Sequence, residues 1–177
     1  MVAEICFSIQ CALIIYDLGT LLNMLAIIYI AYAIVPIIIV AQLFCWYATL
    51  TLKHFWHALE ESAWLVMILL SSICFAIGLV MLEGYNKVLM ILGLASCIAS
   101  AYIMLFIDIP MYFKRNNKGE KKGIKYLTIK EGIKDSIYRR VQTSKWKKWK
   151  KEALWITPYF TFGVWLSIGM VLIDFSS

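Results

Sequence analysis

Polar residues in this chain gather into a few short breaks between long apolar runs and into one basic segment. An α-helix needs about 20 mostly apolar residues to cross roughly 30 Å of hydrocarbon. Runs of that kind predict spans at about residues 20–44, 63–82, 88–109 and 153–173. The first is cut from the apolar stretch between Asp17 and Lys53, where Pro36 is expected to kink the helix by removing a backbone donor and crowding the preceding turn. Asp17-Leu18-Gly19-Thr20 reads as a turn, which leaves residues 1–17 too short to cross and marks them as an interfacial segment. Five crossings is the alternative topology. Glu83-Gly84-Tyr85-Asn86-Lys87 turns the second span antiparallel onto the third, and Pro110 ends the third by disfavouring helical geometry at Ile109. The expected class is therefore all-α: a single polytopic integral membrane domain of four transmembrane helices in a compact bundle. A basic amphipathic cytoplasmic helix is expected between the third and fourth spans.

Composition agrees with this class. A soluble domain is about half apolar and a quarter charged, whereas this chain of 177 residues is 62% apolar and 16% charged. Its +6 net charge is the sum of two unlike parts, because residues 114–152 hold 15 of the 17 Lys and Arg with 4 acids, and the rest is net acidic. Short cytoplasmic connections are enriched in Lys and Arg. The basic loop is thus expected on the cytoplasmic side of an inner or plasma membrane, with both termini outside. The first residues, Met1 to Cys6, have neither a basic leader nor a small-residue cleavage site and do not resemble a signal peptide.

Within the loop, Lys114 to Gly123 carries two glycines and five cations and reads as a solvated hinge. Thr128 and Glu131 have capping-box spacing. Ile129, Ile133, Ile137 and Val141 then form one apolar stripe, weakened as a helix by Gly132. Trp146, Trp149 and Trp155, among Lys145, Lys147, Lys148, Lys150 and Lys151, suit the headgroup level, where an indole is half wet and lysines attract anionic lipid. Anionic headgroups of the bilayer are the expected partner, with an acidic protein subunit as a weaker reading. Nucleic acid ranks last, although interleaved cations and aromatics also suit a phosphate backbone.

Helices in lipid meet through close packing of small residues. Gly93, Cys97 and Ala101 provide such a stripe on the third span, Ser72 and Ala76 on the second, and Gly163 and Ser167 on the fourth. Packing within one subunit explains them more readily than self-association.

One constellation offers chemistry. In a helix His54, His57 and Glu61 share a face, and Asp108 near the end of the third span adds a carboxylate close to hydrocarbon. Imidazole and carboxylate suit a transition metal, or a haem completed by a partner subunit. The plainer reading is an interfacial connection at headgroup depth. Five cysteines without a Cys-x-x-Cys pair read as small buried apolar residues, not as a thiol-exchange centre. No phosphate loop, nucleophile elbow or His-Glu-x-x-His occurs, which argues against autonomous catalysis. The expected role is a structural or assembly subunit of a larger membrane complex or homo-oligomer. A metal- or haem-dependent redox subunit is one alternative, and an oligomeric channel or carrier lined by Asn23, Gln42 and Thr49 is another.

Overall fold

Connections of two or three residues join the first four helices: α1 (Val2–Leu21), α2 (Leu25–Thr51), α3 (His54–Met81) and α4 (Gly84–Ile103). A π-helical turn (Met104–Asp108) carries α4 into α5 (Ile109–Lys121), and α6 (Ile129–Tyr138) follows a loop. The computed structural model describes residues 2–138, 146, 150, 161 and 163–170, and among the described residues there is no strand. Four helical runs are long and apolar enough to cross a membrane: Val2–Leu21, Leu25–Thr51, His54–Met81 and Gly84–Lys121. The described residues are all-helical, as expected; Leu25–Thr51, His54–Met81 and Gly84–Lys121 overlap the stretches expected at 20–44, 63–82 and 88–109 with shifted bounds, and Val2–Leu21 is an additional run.

The first break falls at Leu22–Met24 rather than at Asp17–Thr20. Gly19 is not a turn residue; it is the point at which α1 touches α2, where an added β-carbon would lie 2.8 Å from Ile28 Cγ1. The turn is made by Asn23, whose φ of 54° lies in the left-handed region that Asn tolerates, and the Met24 N–H donates to Gly19 O at 2.8 Å. The segment expected to be interfacial is therefore a 20-residue helix, about 30 Å long at 1.5 Å per residue. Its Ile15 and Leu18 are fully buried in the core with Ile27, Ile34 and Ile38 of α2.

A second correction concerns Pro110, which does not end its helix. In the π turn the Ile109 N–H reaches back five residues to Met104 O, a widened geometry in which the hydrogen-bond ladder is already offset before the ring arrives. Helix α5 then runs to Lys121, so most of the expected hinge, Lys114 to Gly123, is helical. It ends where Gly123 takes a φ of 64°. Helix α2 runs through Pro36 and closes at Leu52, in the left-handed region with its N–H on Ala48 O.

Lipid offers no hydrophobic gain for bringing helices together, so close approach must supply the attraction. At the contact of α3 with α4, a β-carbon on Gly78 would sit 2.6 Å from Met90 Sδ, and one on Gly93 would sit 3.1 Å from the Phe75 ring. Each helix thus receives a large side chain of the other over a glycine. Gly93, Cys97 and Ala101 belong to this internal packing, Cys97 and Ala101 lying against the core. Ser72 bonds its own helix at Ile68 O, whereas Ala76 is exposed. Residues 163–170 are helical and lie on α1, where Ser167 donates to Gln10 Oε1 and the Cys11 thiol faces the Met170 sulfur. Gly163 faces open space. Apart from Thr161, which is helical and exposed, the rest of the expected span at 153–173 lies outside the described residues.

Candidate functional site

Antiparallel order brings four elements to one end of the bundle: the end of α2, the start of α3, the π turn with α5, and α6. The start of α1 is there too, since Glu4 lies within electrostatic reach of Cys45 and Glu61.

Helix α3 begins directly after Leu52-Lys53, and Lys53 gives it no side-chain cap. The cap comes from another helix. Asn116 of α5, only 5% exposed, accepts the Phe55 N–H on Oδ1 at 3.2 Å and donates from Nδ2 to Glu120 Oε1 at 2.9 Å. Aromatic contacts hold the same turn. Trp56 packs on Phe44 and Tyr47 of α2, with ring centroids 5.6 and 4.6 Å away. The Tyr112 ring lies nearly parallel to His57 at 5.0 Å and to His54 at 6.3 Å.

Against this support His57 Nδ1 meets Glu60 Oε2 at 2.9 Å. Glu60 is 8% exposed. The Cys45 thiol of α2 completes a three-donor group whose atoms all lie within 4.8 Å of one another. One helical turn before Cys45, Gln42 is 3% exposed, and neither atom of its amide finds a partner among the described residues.

Of the four residues singled out from sequence, only His57 belongs to this group. His54 stands beside it under Tyr112, and its buried Nδ1 has no partner among the described residues. Glu61 and Asp108 interact with each other's charge and Glu61 with that of Glu60, but neither joins the three donors. Glu60 was legible as the i+3 neighbour of His57. Cys45 was not, because no local spacing connects α2 with the start of α3. Of the residues proposed to line a channel, Asn23 is in the turn before α2, while Gln42 and Thr49 lie two turns apart on α2, the first buried and the second exposed.

A second feature borders the first. A cleft of about 240 Å³ is lined by His54, Arg115, Lys118, Lys122 and Tyr126, with Leu52, Gly119 and Ile124. A β-carbon on Gly119 would lie 2.8 Å from Tyr126 Oη, so a larger residue there would displace the Tyr126 ring. The chain then returns to α2, Leu127 N–H donating to Thr51 O at 3.1 Å. The capping box forms as expected: Glu131 Oε2 accepts the Thr128 N–H at 2.9 Å, and Thr128 Oγ1 accepts the Glu131 N–H at 3.3 Å. The Thr128 hydrogen bonds hold the Glu131 carboxyl below the usual carboxylate range, the backbone N–H first. Gly132, expected to weaken the helix, is the contact that seats α6 on α2, where a β-carbon would run into Leu50 O. Ile129, Ile133 and Ile137 consequently face outward. Trp146 and Lys150 are helical and exposed. Trp149, Trp155, Lys145, Lys147, Lys148 and Lys151 lie outside the described residues, as does Val141. The sequence matches no family model, no curated protein and no solved structure.

Proposed function

We propose that the chain is a small integral-membrane subunit with an assembly role, seated with its basic end on the cytoplasmic leaflet. The observation that carries this reading is the exposure of the fourth candidate span. Only 6% of the most apolar stretch within Gly84–Lys121 is buried inside the chain, against 28–33% for the other three runs. That surface, with Ile91, Leu92, Ile98, Tyr102 and Phe106 among its exposed side chains, suits a partner helix from another subunit or a second copy.

Orientation follows from charge. The start of α6 and the cleft of Arg115, Lys118 and Lys122 lie at one end, and cations favour the cytoplasmic face and anionic headgroups. The outward isoleucines of α6 would suit insertion at the headgroup boundary. With α1 as an additional crossing, the topology becomes the five-pass alternative. The amino end then joins the basic segment inside, in place of the outside position expected from four spans, and the carboxy end stays outside.

The test is the mass of the native assembly extracted into nanodiscs. A mass well above the 20.4 kDa of one chain is expected, either as multiples of it or with a co-purifying membrane subunit. A monodisperse single chain overturns the assembly role. Orientation is read separately with an impermeant thiol reagent: Val2→Cys and Lys121→Cys should label from the cytoplasmic side and Glu83→Cys from the other.

A further inference from the structure

We propose that Cys45, His57 and Glu60 form a binding site for a divalent cation of zinc's class, within a single chain. The inference does not rest on the assembly reading, since metal content and assembly mass are measured separately.

A thiolate, an imidazole and a carboxylate are the donor types that zinc takes, at about 2.3, 2.0 and 2.0–2.2 Å respectively. Tetrahedral placement at those lengths separates the donors by about 3.3 to 3.6 Å. The three donor atoms here lie within 4.8 Å of one another, with His57 Nδ1 and Glu60 Oε2 already at 2.9 Å. Closing on an ion therefore needs shifts of the side chains and none of the helices. The His57 ring is held against Tyr112 at 5.0 Å, which limits its rotation before a metal arrives.

Charge favours the same conclusion. Thiolate and carboxylate together neutralise a divalent ion, and Glu4 lies within electrostatic reach of Cys45. A buried carboxylate near hydrocarbon is costly unless paired or coordinated. Gln42, a turn from Cys45 on the same helix, is buried with both amide atoms unpartnered among the described residues. A buried amide without partners forfeits its hydrogen bonds to water, and a water held in the fourth metal position would supply one. Three protein donors and one open position describe a site that can exchange its fourth ligand. On binding, the Cys45 S–H bond breaks, a sulfur–metal bond forms and the proton leaves to water. His57 coordinates through Nδ1 as the neutral ring with its proton on Nε2, so the proton shared between Nδ1 and Glu60 Oε2 in the metal-free chain must leave that hydrogen bond as the ion enters.

Zinc is the probe. Full-length protein in nanodiscs, stripped with chelator and then titrated, is expected to retain one Zn2+ per chain. Cys45→Ser and Glu60→Gln should each lower retention about a hundredfold, while His54→Gln changes it by less than about tenfold. The Co2+ form of the wild-type chain should show a thiolate-to-cobalt charge-transfer band that Cys6→Ser leaves in place and Cys45→Ser removes. Failure of the stripped wild-type chain to retain zinc, or the absence of that band, overturns the proposal without requiring any variant to fold. Unchanged retention in both ligand variants does so as well.

Discussion

Where α1 turns into α2, and again where α3 turns into α4, helices meet over missing side chains: Gly19 lies under Ile28, and Gly78 lies under Met90 with Leu18 alongside. At the opposite end the contacts are directional. Asn116 caps α3 from α5, Glu60 faces His57, Leu127 donates to the end of α2, and Thr128 and Glu131 close a capping box. Steric contacts ask nothing of their surroundings beyond shape, so they serve in lipid as well as in protein. Directional contacts leave expensive orphans when broken, because a buried polar group without a partner costs about 1–3 kcal/mol. Several ionisable side chains converge at the basic end, and the glycine contacts at the far end hold the helices in register.

If the far end is purely steric, enlarging its glycines should have the largest effect on the bundle. Gly19→Leu brings a β-carbon within 2.8 Å of Ile28 Cγ1 and 3.0 Å of the Ile28 backbone nitrogen. Backbone cannot yield as a side-chain tip can, so the helices must separate. Overpacking of this kind costs about 1–3 kcal/mol, offset by roughly 1 kcal/mol from replacing a helical glycine. A fall in the thermal unfolding midpoint in detergent, unaffected by added Zn2+, is the expected result. Unchanged stability would mean that α1 and α2 are not locked at Gly19.

Asn116→Ala probes the other end and should have a smaller global effect. It removes the acceptor of the Phe55 N–H, a loss typical of helix caps at about 1 kcal/mol, and frees Glu120. The consequence should be concentrated at the start of α3. Hydrogen exchange of the Phe55 amide should accelerate, while exchange in the α3 core around Cys74 stays unchanged. Equal acceleration at both places would show that the two ends are not independent.

These two variants also mark what the sequence could disclose. Apolar runs, the helical class and the capping box are local signals, and the last spans three residues from Thr128 to Glu131. Gly19 misled because a glycine can mean a turn or a close approach, and only the partner, Ile28, tells which. Pro110 misled because the preceding residues adopt a π turn, which no pattern of polarity announces. Asn116 and Cys45 gain their roles from residues 61 and 12 positions away, through packing between helices. Gly132 shows the same ambiguity from the other side: a liability for helix formation alone, it is the contact that seats α6 on Leu50.

The smallest expected effect separates local from tertiary order at the basic end. Glu131 is held below its ordinary range by hydrogen bonds from Thr128, so its ionised form is favoured by the folded helix start. A depressed carboxyl contributes fully above the unfolded-state value near 4.3, and that contribution fades as pH falls through the lower folded value. Protection of the Thr128 amide, corrected for intrinsic exchange, should be flat from neutral pH to about pH 5 and decline by a few-fold in more acid solution. Glu131→Gln keeps an uncharged acceptor and should make the protection weaker and independent of pH. Because Gly132 seats the helix sterically on α2, the Leu127 amide on Thr51 O should stay protected throughout. Joint loss at Thr128 and Leu127 on acidification would instead mean that the capping box itself holds α6 to the bundle.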